Sequence, residues 1–372
     1  MKMVYLFNHY EVLENEHIGI RKKMYMQMKA FTELGYEPIY IVFDENKVVL
    51  KDLANTDSSI YHFDKLSRVY EFVIEIIKRI NPEFIYMRYR MIYTPMLFSF
   101  YQKLSLLNTK IICEFYTFPY DTEFSEDDMN MLMDRIYVKR LKEVFQYSSN
   151  YNGYSVIMGI PSVSISNGIE VDKIPVSKLS ARNTNEFHMI AVATMFPWHG
   201  YDRIIEGLYN YYLKKGERNI LFHLVGEGQE SNRYKELVKK YGLEKHIIFH
   251  GKITNNVELN HMYDGMDLAI GSIGMHRLRL ENVSPIKSAE YCARGIPFII
   301  NYNDISFSEE ETFVMKVSRD ESPIDIKSIV AFALKNRNSE TAELMREYAQ
   351  NHLSWNSQMK KVLLFSQIMK EK

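Results

Sequence analysis

Short runs of β-branched and aromatic residues alternate with longer stretches of helical spacing, and they do so twice along the chain. That confines the fold to βαβ units around mostly parallel sheets. In the first half the expected strands are Met3–Phe7, Pro38–Phe43, Glu83–Arg88 and Lys110–Phe115. In the second half they are Met189–Thr194, Ile220–Gly226, His246–Gly251, Asp267–Ser272 and Ile296–Asn301. Successive strands there begin roughly 20 to 35 residues apart, the room a crossover helix needs. Between the first two strands, Ile20, Met24, Met28 and Phe31 fall on one helix face, and Gly35 follows where a C-cap is expected.

A chain of 372 residues with 46% hydrophobic content can bury a core in each of two such domains. The expected domains are residues 1–166 with 355–372, and residues 167–354, with a hinge near Asn167 and Gly168. Trp355 to Lys372 reads as an amphipathic terminal helix. Lys and Arg total 46 against 47 Asp and Glu, so no global field favours nucleic acid, and any phosphate chemistry must be local. The only two cysteines, Cys113 and Cys292, sit in apolar stretches and are expected to be buried thiols in a reducing, cytoplasmic setting. The opening residues Met1 to Val12 are too early in charge for a signal peptide, and no apolar run is long enough to span a bilayer.

Glycines of the dinucleotide fingerprint are missing after the first strand, where the chain runs Asn8, His9, Tyr10, Glu11, and no P-loop occurs. A nicotinamide cofactor is therefore not expected. A DxD triplet is also absent, so no bound metal is expected. The informative stretch is Leu280 to Pro297, running from a strand exit into a helix and back to a strand. Ser284 is a good N-cap and Pro285 a good first helical residue, so the helix is expected to begin there with free amides facing a ligand. Such amides carry partial positive charge and seat phosphate oxygens. Lys287 adds a full charge, and Glu290, three residues on, could accept bonds from a ribose diol. The same spacing describes an ordinary capped helix with a solvated ion pair, and spacing alone does not separate the two.

The string Ser284 to Pro297 resembles the donor-nucleotide motif of glycosyltransferase family 4 (group 1), retaining enzymes of the GT-B fold. Asn167 to Asp172 looks like the interdomain segment of that family, and Phe196 to Asp202 like its phosphate-side loop. Leu224 to Gly228 and Ile248 to Lys252 resemble the strand ends bordering the base, and Ser354-Trp355 the start of its closing helix. The resemblance implies an α/β fold of two Rossmann-like, doubly wound domains facing across a cleft, with the C-terminal helix returning to the first domain. It implies that the first domain binds the acceptor and the second the donor. It implies donor contacts from Ser284, Pro285, Ile286, Lys287, Glu290, Gly226, Lys252 and Gly19, the last in a loop after the first strand.

Two departures stand out. The family carries an earlier glutamate that touches the donor sugar, and here Asn282 holds its place beside Glu281. Where the family places an Arg and a Lys for the pyrophosphate, this chain has Thr194, Met195 and His199, with Arg277 or Arg279 as further sources of charge. Asn282, Lys287 and His199 are thus the expected catalytic residues. On the acceptor side, Tyr116, Tyr120 and Asp121 follow a strand in an aromatic and acidic loop suited to carbohydrate, and Arg88 and Arg90 close another strand where acceptor phosphates could meet them. Met133, Tyr137, Leu141, Val144 and Phe145 form an apolar stripe with Arg135, Lys139 and Lys142 opposite, a helix that could rest on an anionic membrane or simply pack with a solvated basic side.

The expected activity is transfer of a sugar from a UDP- or GDP-type nucleoside diphosphate sugar, a substrate and not a cofactor, to a glycan or polyprenyl-linked acceptor. The resemblance implies retention of configuration, no metal, and a place in cell-surface polysaccharide biosynthesis at the inner face of the membrane. A sugar-nucleotide epimerase of the same fold and a non-catalytic glycan-binding relative are the alternatives.

Overall fold

The computed structural model describes residues 1–8, 18–52, 58–116, 118–119, 128–179, 185–279 and 282–369. The chain divides into two compact units, Met1–Ser166 with Trp355–Lys372, and Asn167–Ser354.

In the first unit, β1 (Lys2–Asn8), α1 (Ile18–Glu33) and β2 (Glu37–Phe43) form a βαβ unit, followed by β3 (Lys47–Asp52), β4 (Ser58–His62) and α2 (Leu66–Ile80). β5 (Phe84–Arg88), α3 (Pro95–Ser105), β6 (Lys110–Phe115), α4 (Met129–Tyr137), β7 (Tyr147–Asn150), β8 (Val156–Ile157) and β9 (Ile160–Ser164) complete it before the chain leaves. The described strands form one sheet in the order β4-β3-β2-β1-β5-β6-β7-β9-β8. Pairing is parallel from β2 through β9, while β3 and β4 and the short β8 are antiparallel additions at the edges. The order reverses between β1 and β5, whose carboxyl ends are Asn8 and Arg88. Alternate residues of β1 enter different cores: Val4 and Leu6 pack with α2 and α3, whereas Met3, Tyr5 and Phe7 pack with α1 and α11 (Trp355–Phe365). Burial on both faces is what a doubly wound sheet demands.

The second unit runs β10 (Glu186–Val192), α5 (Asp202–Leu213), β11 (Asn219–Val225), α6 (Ser231–Tyr241), β12 (Ile247–Gly251), α7 (Asn256–Tyr263) and β13 (Leu268–Ile270). It continues with β14 (Asn282–Val283), α8 (Ile286–Ala293), β15 (Phe298–Ile300), β16 (Asn303–Asp304), β17 (Val314–Lys316), α9 (Ile326–Asn336) and α10 (Ser339–Tyr348). Its main sheet is parallel, in the order β12-β11-β10-β13-β15-β17, and reverses between β10 and β13. Phe187, Met189 and Ala191 bury one face of β10 and Ile190 the other.

The nine expected strands are present with shifted ends, β10 stopping at Val192 and β13 shrinking to three residues. Strands β3, β4 and β7 to β9 escaped notice because they lack the apolar run of a central parallel strand. All five residues of β4 are exposed, and β7 buries Ser148, Ser149 and Asn150. Asn150 Nδ2 donates to Tyr154 O and Ser162 Oγ, which removes the cost of burying it. Cys113 and Cys292 are buried, free thiols.

The single helix expected through Met133 to Phe145 is instead α4 ending at Tyr137 and a 3₁₀ segment Val138–Glu143. The change of pitch moves the buried stripe to Met131, Leu141, Val144 and Phe145, and leaves Leu132 and Ile136 exposed beside Arg135 and Lys139. Among the described residues no helix is long and apolar enough to cross a membrane.

Candidate active site

The reversal between β10 and β13 makes a crevice at their carboxyl ends, the place where ligands bind in open α/β sheets. The loop after β10 turns through a 3₁₀ segment Pro197–His199 into α5. It lies backbone to backbone on the loop after β13: Ile273 N donates to His199 O at 3.0 Å, and Gly274 N to Trp198 O at 3.1 Å. Gly200 has φ +68°, and a Cβ there would stand 2.7 Å from Gly274 N, so both the turn and the close approach require glycine.

His199 is buried, and Phe196 N donates to its Nδ1 at 3.0 Å. The neutral ring must therefore carry its proton on Nε2. Burial, and secondarily the charge of Lys287, push its pKa down to about 3. His199 is thus a neutral donor across the physiological range.

Lys287, in the first turn of α8, has its Nζ buried with no hydrogen-bond partner among the described residues. Burial lowers its pKa to about 7, with Glu290 opposing. An ammonium in that position has given up water without receiving an acceptor, which is costly unless an anion arrives. Neither Ser284 nor any other side chain caps the helix. Here the structure corrects the sequence reading: α8 begins at Ile286, Pro285 is the N-cap with φ −70° and ψ 140°, and Ser284 Oγ instead meets Ser306 Oγ at 2.7 Å. The extended ψ of Pro285 excludes it from the first turn, and the β14–β16 pairing, Asn282 with Asn303 and Val283 with Asp304, holds Ser284 beside Ser306. The consequence for anion binding is favourable, because the first amides of α8 stay unclaimed by side chains. Ile286 is exposed, and Asn282 is exposed with its Oδ1 3.4 Å from Asn303 Nδ2.

The structure gathers other expected residues at the same edge of the unit. Gly226 follows β11 with φ +115°, and its N–H donates to Gly251 O at 2.7 Å, so Gly226 and the exposed Lys252 lie together at neighbouring strand ends. Glu290 stands one turn beyond Lys287 on α8.

Others are not brought there. Gly19 is in the first turn of α1 in the first unit, not in a loop, with open space around it. Arg277 is not free for phosphate, since it donates to Pro197 O at 2.7 Å, to Asp202 at 2.8 and 3.2 Å and to Glu321 at 3.0 Å. Arg279 is exposed with φ +56°. Arg90 donates to Asn8 O at 2.8 Å, and Arg88 is buried against Glu114, so neither is the open surface arginine the sequence suggested. Tyr116 lies over the Arg88 guanidinium at 4.6 Å, while Tyr120, Asp121 and Glu281 lie outside the described residues.

Sequence reasoning missed the scaffold under this site. Buried Asp202 accepts from Arg233 and Arg277, and the buried Arg203 donates to Ser322 O and Ser318 Oγ, locking α5 to the loops after β13 and β17. Asp202 in the first turn of α5 was the one available signal, and it reads equally as a dipole partner.

Residues 173–352 match the sequence family described as Glycosyl transferases group 1. No curated protein matches the sequence. Among solved structures, a glycosyltransferase from Rickettsia africae is 16% identical with a TM-score of 0.64, the match covering 100% of this chain and 99% of that one. HepE of Anabaena, crystallised with UDP, is 13% identical with a TM-score of 0.63, over 99% and 100%. The catalytic domain of starch synthase IV from Arabidopsis thaliana, bound to ADP and acarbose, is 11% identical with a TM-score of 0.58, over 99% of each chain. At these identities the likeness shows the fold, which is the GT-B fold of such glycosyltransferases.

Proposed function

The second unit belongs to the group 1 glycosyl transferases, and from that premise we propose that the chain moves a sugar from a nucleoside diphosphate sugar to a glycan or lipid-linked glycan, with retention and without metal. The observation that carries the reading is the buried, unpartnered Lys287 ammonium at the uncapped start of α8, the environment a diphosphate completes. The Nε2–H of His199 is assigned as a second donor to the same diphosphate, at a ring that feels the charge of Lys287. Charge building on the leaving diphosphate is then met by fixed donors that need no reorganisation. Glu290 is assigned to the ribose diol and Asn282 to the donor sugar. UDP is the nucleotide of choice, because HepE was crystallised with UDP.

The first unit takes the acceptor in this reading, with Tyr116, Tyr120, Asp121 and Arg88 on that side. Exposed Met129, Leu132 and Ile136 on α4, with Arg135, Lys139 and Lys142 around them, favour a peripheral contact with anionic lipid at the cytoplasmic face, where polysaccharide precursors are assembled.

Melting temperature read against UDP, GDP and ADP, with and without EDTA, tests the donor site. A rise with UDP that EDTA leaves unchanged supports it. No rise with any diphosphate overturns it, and release of a free sugar-nucleotide isomer from donor alone would favour an epimerase.

A further inference from the structure

The first unit has its own sheet reversal, between β1 and β5, and a buried charge cluster stands at its carboxyl end. Glu114, the penultimate residue of β6, is fully buried. Its Oε1 accepts from Tyr151 OH at 2.5 Å and Gln27 Nε2 at 3.1 Å, and lies 3.6 Å from Lys23 Nζ. Gln27 is itself held by Tyr5 OH at 2.6 Å. Arg88, the last residue of β5 and 3% exposed, lies between the rings of Phe7 and Tyr116 at 5.4 and 4.6 Å.

Among the described residues the cluster is not balanced. Lys23 and Arg88 bring two cations against the one carboxylate of Glu114. Arg88 Nε reaches Glu114 Oε2 only as a 3.5 Å ion pair, and both Nε and Nη1 lack a hydrogen-bond partner among the described residues. Asn8 Nδ2, on the neighbouring strand end, lacks one too. Burial works against the Arg88 cation, but Glu114 and the phenols of Tyr5, Tyr151 and Tyr116 outweigh it, so the guanidinium stays charged. A charged guanidinium with two unpartnered donors, beside the unpartnered Asn8 amide at a sheet reversal, is an environment that an oxyanion completes.

We propose that Arg88 binds an oxyanion, a phosphoryl or carboxylate group, and that the acceptor carries this group. Binding of the anion stands on the first unit alone; its identity as the acceptor rests on the reading of this unit given above.

The full-length protein saturated with UDP is titrated by calorimetry with inorganic phosphate, with glucuronate, and with methyl glucoside as the neutral control. Binding of phosphate or glucuronate without methyl glucoside supports the proposal, and which of the two binds distinguishes a phosphoryl from a uronate acceptor. Arg88→Lys should weaken that binding roughly tenfold, because the single ammonium cannot reproduce the separate donor positions of the guanidinium. Glu114→Gln should tighten it, since the competing carboxylate is gone, an effect that a purely structural pair would not produce. Arg88→Gln with Glu114→Gln removes both charges together, so that a folded variant without the anion response is accessible. The response must persist in Lys287→Ala, which separates it from phosphate taken up at α8. Absence of binding in the native chain, or equal binding in the folded double variant, overturns the proposal. A missing UDP response, by contrast, bears only on the donor site.

Discussion

Phe196 N donates to Nδ1 of His199 across 3.0 Å, and this one bond decides what the imidazole can offer. It fixes the proton on Nε2, while burial and then the charge of Lys287 keep the ring neutral down to about pH 3. His199→Gln, which retains an N–H donor, should therefore hold UDP better than His199→Ala, with the loss in the alanine variant about 1 kcal/mol. Titration calorimetry with UDP at pH 7 reads the difference. Equal losses in the two variants would mean that the ring contributes shape and not its proton.

The depressed pKa of His199 also sets a stability window. Between pH 6.5 and about 3 the unfolded chain binds the proton that the folded ring refuses, so this residue lowers stability progressively as pH falls through that range. His199→Gln should flatten that part of the curve in urea melts.

Lys287 makes two opposite predictions. Its folded pKa of about 7 lies below the ordinary 10.5, so the unfolded state binds more protons between these values and the ligand-free protein gains stability as pH rises through them. A diphosphate needs the protonated form, so UDP affinity should be full below pH 7 and fall as pH rises above it. Lys287→Met should stabilise the free protein while weakening UDP by about 1.5–3 kcal/mol. Melting with and without UDP from pH 6 to 9 checks both, and a pH-independent UDP affinity would remove Lys287 from the phosphate.

Glu290→Ala should weaken UDP while leaving inorganic pyrophosphate unaffected, since only the former has a ribose; equal loss for the two would withdraw the ribose assignment. Asn282→Ala, exposed and set on the short β14, should lower turnover more than UDP affinity. Kinetics with saturating donor separate these effects.

Arg277 and Asp202 join at 2.8 Å with Asp202 buried, and removing Arg277 leaves Asp202 with its bond from Arg233. Arg277→Ala should cost about 1.5–3 kcal/mol of stability, the range for a lost hydrogen bond to a charged group, read by denaturant melts. UDP affinity should drop with it, because Arg277 also fixes Pro197 O in the loop that carries His199.

The central strands and α1 were legible because burial on both sheet faces writes near-continuous apolar runs, and an amphipathic helix writes its period. The edge strand β4 and the polar β7 write neither, so only pairing partners distant in sequence reveal them. At the candidate site, the residues around α8 and His199 could be found from local order: a Ser-Pro before a helix, a Lys one turn in, a Trp-His-Gly turn at a strand exit.

What local order could not decide was which groups already have partners. Arg277 and Arg88 look alike as arginines near strand exits, yet Asp202 and Glu321 occupy the first, while Glu114 balances only part of the cluster around the second. Ser284 has the chemistry of a cap, but Ser306, twenty-two residues later, takes its hydroxyl. The sequence by itself determined the alternation, the two cores and the residue types at the strand ends, because these follow from period and polarity. Only the tertiary structure decided that the Lys287 ammonium and the Arg88 guanidinium are buried with donors to spare, because hydrogen-bond satisfaction and desolvation depend on atoms that the chain brings together from far apart.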